Sequence, residues 1–316
     1  MYYRVNTWRR SWAGTRQAMS SRLDDLSTEQ PNPRTADLDR LDTLSLLERL
    51  NQEDQLVAPA VRAALPQLGR AVDLALQRWR GGGRIVLFGA GTSGRLAALD
   101  AAELGPTFGV PAERYLARIA GGVSAFQTPA EGAEDDVAAG RAAAADLGPG
   151  DVAFGIAASG RTPWVLGALE AARERGAASV GLACVPEPAL AACVDVAIVV
   201  DTGPEPIAGS TRMKAGTAQK LVLNTFSTSL MVRLGKVYGN LMVDVQASNA
   251  KLRQRAVGLV QRIAGVDEPG ARAALRDANG EVKTAIACLR LSISADEARA
   301  RLASAHGDLR TILGER

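Results

Sequence analysis

The stretch Arg84–Gly109, RIVLFGAGTSGRLAALDAAELGPTFG, decides how the rest of the chain is read. It opens on an apolar run, Ile85-Val86-Leu87-Phe88, of the kind that forms a strand buried on both faces of a parallel sheet. The run ends in Gly89-Ala90-Gly91-Thr92-Ser93-Gly94, and a helix is expected from about Arg95. Small residues let a ligand approach the backbone, and a helix start offers unpaired N–H groups to an anion. Glu103 falls near the expected helix end, before a kinked exit at Gly105-Pro106.

Outward from this unit the chain alternates. Strands are expected over 84–89, 115–120, 151–157, 179–185 and 195–201, and helices over 94–103, 135–146, 163–175 and 214–235. The pattern predicts an α/β fold with a doubly wound, parallel, five-stranded sheet whose ligands collect at the carboxyl ends of the strands. Upstream, a proline-punctuated extended arm from Thr28 leads into a helix at Thr43 with Leu44, Leu47 and Leu50 on one side. A second amphipathic helix, Ala58–Trp79, ends at Gly81-Gly82-Gly83. Downstream of Asn249 come short helices: Arg255–Val266, one from Asp267, Glu281–Leu291, and one from Ser294 with Glu297 in capping-box spacing. The Ala-rich 137–147 reads as a close-packed helix. The division is therefore 1–25 as an extension, 26–80 as an N-terminal helical arm, 81–245 as the ligand-binding α/β unit and 249–316 as a small helical domain. Residues 1–22 hold five arginines, no acid and no apolar core of signal-peptide length; they read as an extension ahead of a start at Met19, with no role assigned.

Composition narrows the function. Apolar residues make up 47% and charged residues 22%, a globular balance, and nothing suggests a membrane partner. A net charge of +3 with 4% aromatics argues against nucleic acid. Cys184, Cys193 and Cys288 have no metal spacing, and Cys184 and Cys193, in apolar surroundings, are expected to be buried thiols in a reducing compartment. The single histidine is His306, so acid–base chemistry at the glycine turn falls to carboxylates. Gly89-x-Gly91-x-x-Gly94 matches a dinucleotide fingerprint, but the next strand ends Ile119-Ala120-Gly121-Gly122 without the ribose-binding acid.

Three hydroxyl-bearing turns take its place. They are Thr92-Ser93, then Ser159-Gly160-Arg161-Thr162, then Ser210-Thr211-Arg212-Met213-Lys214, each leading into a helix. Hydroxyls with backbone N–H groups suit a phosphate that is bound and kept, although any one of them also serves as an ordinary helix cap. Two acids stand out. Glu103 sits among Ala101, Ala102 and Leu104, a setting expected to disfavour its charged form, and Glu134 lies in Glu131-Gly132-Ala133-Glu134-Asp135-Asp136 just before a helix.

Together GAGTSGR at 89–95, PTFG at 106–109, EGAEDD at 131–136, ASGRTP at 158–163 and GSTRMKAGTAQK at 209–220 resemble the N-acetylmuramic acid 6-phosphate etherases. Thr28-Glu29, Asn32, Thr35, Asp39 and the segment from Asn249 to Ala256 fit as well; Pro31 departs from the arginine usual before Asn32. The resemblance implies a sugar isomerase (SIS) domain, a cytoplasmic homodimer, and no metal or organic cofactor. It implies cleavage of the lactyl ether of N-acetylmuramic acid 6-phosphate, giving N-acetylglucosamine 6-phosphate and D-lactate, with the glutamate matching Glu103 as acid and that matching Glu134 as base. Thr92, Ser93, Ser159, Arg161, Thr162, Ser210, Thr211 and Lys214 are then the candidate substrate-binding residues. A non-catalytic phosphosugar sensor, such as the related glucokinase regulatory protein, or a sugar-phosphate isomerase uses similar motifs and stays open as an alternative.

Overall fold

The computed structural model describes residues 25–245 and 249–315; the extension over 1–22, with Met19, lies outside them. Five parallel strands, β1 (Ile85–Gly89), β2 (Tyr115–Ile119), β3 (Val152–Ile156), β4 (Ala178–Ala183) and β5 (Val196–Val199), form a sheet in the order β2-β1-β3-β4-β5. Every residue of β1, β3 and β4 is buried, as continuous apolar runs require when helices cover both faces. Alternate residues serve opposite faces. Ile85 and Leu87 join a core with α3 (Leu65–Arg80), α4 (Gly91–Phe108) and α7 (Lys214–Arg233), whereas Val86 and Phe88 join one with α6 (Pro163–Glu174). Phe154 packs edge-on against Phe226 at 5.0 Å on the first face.

α5 (Val137–Ala143) lies directly on α6, and glycine makes this possible. A Cβ at Gly140 would sit 2.0 Å from the Trp164 carbonyl, and one at Gly167 would sit 2.5 Å from that of Val137. The Ala-rich stretch is close-packed, but its helix stops at Ala143, short of the expected end.

Several boundaries differ from expectation. The helix expected over Ala58–Trp79 is two, α2 (Val57–Ala63) and α3, because Pro66 belongs to the first turn of a new helix. α4 begins at Gly91 rather than near Arg95, so Thr92 and Ser93 are already in its first turn; it runs through Pro106 to a left-handed cap at Gly109. The arm is not extended but a series of short turns, Ser27–Glu29, Pro33–Thr35 and Leu38–Arg40, ahead of α1 (Thr43–Asp54). Leu44 and Leu47 on α1 are 65% and 58% exposed in the single chain.

Beyond the sheet a two-stranded hairpin, β6 (Val237–Tyr238) and β7 (Leu241–Met242), leads to α8 (Ala250–Ala264), α9 (Glu268–Asp277), α10 (Val282–Leu291), α11 (Ala295–Ser304) and α12 (Leu309–Leu313) around their own apolar core. The hairpin and α12 carry too little pattern to be foreseen. Ser294 caps α11 by accepting from the Glu297 N–H at 3.2 Å, but the Glu297 carboxylate pairs with Arg301, so the reciprocal half of the box is absent. Cys184 is buried as expected, whereas Cys193 is partly exposed, which corrects that expectation; Cys288 is partly exposed as well. Among the described residues no helix is long and apolar enough to cross a membrane.

Candidate functional site

The strand order changes direction between β1 and β3, and a doubly wound sheet opens a crevice at the carboxyl ends of those two strands. The first and second turns leave from these strands. At the first, Gly89 and Gly94 pack backbone to backbone: a Cβ on Gly89 would fall 2.6 Å from the Gly94 nitrogen. Ala90 gives α4 no side-chain cap, so its first N–H groups point at the crevice without an internal acceptor. Ser93 is buried there and Thr92 half-buried. At the second turn, Gly160 has φ of +64° and Pro163 opens α6, again with no side-chain cap. Ser159 Oγ accepts the Arg161 N–H at 3.3 Å, and Arg161 Nη1 is buried without a hydrogen-bond partner. A buried guanidinium nitrogen left unpaired is costly in the absence of an acceptor.

Glu134 joins this edge. The chain after β2 folds back at Gly121, where a Cβ would meet Ala130 at 2.4 Å and Ala133 at 3.4 Å. Arg95 Nε of α4 donates to the Phe126 carbonyl at 3.2 Å, tying the loop to the first turn. The short turn Ala133–Asp135 packs against α6, and Glu134 itself is exposed at the rim.

The third turn is built differently. Glu205, fully buried, accepts the N–H groups of Lys214 and Ala215 at 2.8 and 2.9 Å, so the start of α7 already holds a carboxylate. Burial raises the Glu205 pKa against these two hydrogen bonds. Lys214, expected to bind substrate, is also fully buried, and its Nζ donates to Glu53 of α1 at 2.9 Å. That assignment is corrected: the ammonium is spent inside the protein. Glu53 also takes Arg34, which bonds it through two nitrogens, and Asn32 at 2.8 Å. The Arg34 bonds, opposed by burial and joined by Lys214 and Asn32, hold the Glu53 carboxyl down at about 2. Asn32 further reaches the Pro204 carbonyl, Thr35 donates to that of Pro206, and the Gly209 N–H donates to that of Thr28. The arm therefore clasps the third turn. Ser210 and Thr211 remain half-buried on its outer side, and a Cβ on Gly216 would lie 3.5 Å from both Thr92 Cγ2 and the Thr211 carbonyl.

Glu103 does not join this group within one chain. α4 runs back from the crevice, and twelve residues at 1.5 Å each put Glu103 about 18 Å along the axis from Gly91. It is exposed, contrary to the apolar setting expected, because the buried stripe of α4 follows Ser93, Ala97, Asp100, Leu104 and Phe108, and Glu103 lies off its flank. It shares an outward strip with Leu96, Leu99 and Pro106, of which Leu99 is 45% exposed.

Glu53, Glu205 and Asp100 were missed in the sequence. Glu205 sits between Pro204 and Pro206 with no periodic signal, and Glu53 ends a helix whose polar residues resemble a solvated face. Asp100 is buried, accepting from Tyr115 at 2.7 Å and Ser227 at 3.0 Å, with its pKa raised by burial. Among the described residues no cluster of three or more His, Cys, Asp or Glu could hold a metal.

This geometry defines a SIS-type phosphosugar domain carrying a helical appendage. The family profile for the glucokinase regulatory protein N-terminal SIS domain matches residues 67–173, and that for the C-terminal lid domain of glucokinase regulatory protein matches 239–283. The chain belongs to the N-acetylmuramic acid 6-phosphate etherases, which are carbon–oxygen lyases. It is 53% identical to the etherase of Deinococcus radiodurans over 92% of this chain and 96% of that one. It is 51% identical to that of Rubrobacter xylanophilus over 94% of this chain and 99% of that one. It is also similar to the solved phosphoheptose isomerase of Neisseria gonorrhoeae, at 22% identity and a TM-score of 0.46 over 59% of this chain and 97% of that one.

Proposed function

We propose that the protein cleaves the D-lactyl ether at C3 of N-acetylmuramic acid 6-phosphate, yielding N-acetylglucosamine 6-phosphate and D-lactate. The supporting observation is the pair of uncapped helix starts, with Ser93, Ser159 and the unpaired Arg161 nitrogen, beside the turn that carries Glu134. The 6-phosphate is held there by hydroxyls and backbone N–H groups, with Thr92, Thr162, Ser210 and Thr211 around it.

An ether is a poor leaving group, so the reaction runs through the open-chain sugar, whose C1 aldehyde makes the C2 proton acidic. Glu134 removes that proton, Glu103 protonates the departing lactyl oxygen, and water adds across the resulting double bond. Opposite protonation states at one pH require unlike surroundings. Glu134 stands at a wet rim; Glu103 gains an apolar one only when a second chain covers the strip of Leu96, Leu99 and Pro106. We therefore infer a homodimer in which each site takes Glu134 from one chain and Glu103 from the other. The exposed Leu44 and Leu47 offer further apolar surface for that contact. The free cysteines fit a reducing compartment, and we assign the reaction to the cytoplasm. Residues 26–80, 81–245 and 249–316 act as arm, phosphosugar unit and helical appendage.

Incubation with the substrate and an enzymatic D-lactate assay tests the reaction; bound sugar without lactate would return the chain to the sensor or isomerase reading. Glu103→Gln and Glu134→Gln each cut turnover by at least about 10²-fold with binding kept. Mixing the two inactive variants restores lactate release if the site is shared between chains, since half of each mixed dimer is intact. No recovery places both groups in one chain and rejects the shared site.

A further inference from the structure

A second concave site lies at the opposite end of α4 from the glycine turn. An 18-residue helix spans about 27 Å, and its last residue, Phe108, lines a cavity of about 1110 Å³ between the sheet unit and the C-terminal helices. The volume is just above the range of about 300–1,000 Å³ usual for small-molecule sites. Six of its lining side chains are Lys or Arg and two, Asp244 and Glu281, are carboxylates.

Both carboxylates are fully engaged. Asp244 Oδ2 is shared by Lys236 Nζ at 2.8 Å and Lys283 Nζ at 2.9 Å, so two ammonium groups lean on one charge. Glu281 Oε2 accepts from Arg299 at 2.9 Å and from the Thr284 hydroxyl at 2.7 Å. Lys283 is buried and also donates to the Gly307 carbonyl at 2.7 Å. On α9, Arg276 makes no ion pair among the described residues, and Arg272 turns to Glu268 outside the cavity. Between these cations the floor is apolar, with Phe108, Val257 and Leu302. Repelling cations gathered over an apolar floor lower their mutual repulsion when an anion with an organic body enters, and guanidinium groups offer the forked donors that suit phosphate or carboxylate oxygens.

We propose that this cavity binds an organic anion through Arg276 of α9 and the Lys236–Asp244–Lys283 cluster. Two sources share that chemistry: a free organic phosphate, or the carboxylate of a substrate seated on a partner chain. Calorimetric titration of the full chain with adenosine 5′-diphosphate tests the site, with Ser159→Ala as the control that weakens binding in the crevice alone. Binding is expected in the native protein and at least tenfold weaker in Arg276→Glu, with an unchanged thermal midpoint. Arg276→Gln serves if Arg276→Glu does not fold. An unchanged KM for lactate release in the variant identifies the free phosphate as the source; a rise of tenfold or more identifies the substrate carboxylate. Absence of binding to the native chain, or equal binding to native and variant, overturns the proposal.

Discussion

The starts of α4 and α7 look alike in sequence and do opposite things. Each is a run of glycine and hydroxyl residues that leads into a helix at the carboxyl side of the sheet. At α4 no side chain takes the leading N–H groups; at α7 Glu205 takes two of them and Glu53 takes the lysine. A helix start is an anion site in both cases. Whether it is open to a ligand depends on whether a carboxylate from elsewhere in the chain has already filled it. The open starts keep their leading N–H groups without a side-chain acceptor, and the closed one holds the arm, α1 and α7 together.

The contrast can be broken at the closed end first. Lys214→Met leaves Glu53 buried with only Arg34 and Asn32, and removing one partner of a buried pair costs about 3–5 kcal/mol; urea unfolding measures it, and a loss under about 1 kcal/mol would deny the pair its structural role. At the open end, Ser159→Ala removes a hydroxyl from a charged ligand, worth about 1.5–3 kcal/mol. KM should rise roughly 10- to 150-fold while the unfolding midpoint stays put. Glu205→Gln retains one acceptor for the two N–H groups and should destabilise by about 1–2 kcal/mol, with KM little changed. Acid sensitivity reads the Glu53 carboxylate again. Glu53 has a folded pKa of about 2, below its ordinary 4.5, so its contribution is present above about 4.5 and lost as pH falls towards 2. Glu53→Gln should flatten the stability curve in that window, as acid titrations of unfolding free energy would reveal.

The sheet was legible because strands buried on both faces are written as unbroken apolar runs, and IVLF at 85–88 needs no tertiary knowledge to read. The open turns were legible for a similar reason: glycine is demanded locally, by Gly94 against the backbone of Gly89. Lys214 was misread because nothing near it in sequence announces Glu53, 161 residues away. The surroundings of Glu103 were misread because its neighbours Ala102 and Leu104 face different directions on the helix, Leu104 inward and Ala102 outward. Adjacency in sequence describes an environment in a strand or loop far better than on a helix that is covered on one side.

The clasp between the arm and the third turn has a consequence for synthesis. Asn32 and Thr35 leave the ribosome first, yet their partners at Pro204 and Pro206 follow 172 and 171 residues later. At about 5–20 residues per second the nascent arm waits on the order of ten to thirty seconds for these two carbonyls. Glu53 meets Arg34 and Asn32 early, but its third partner, Lys214, follows 161 residues later, so the arm and α1 complete their clasp only once the start of α7 has emerged.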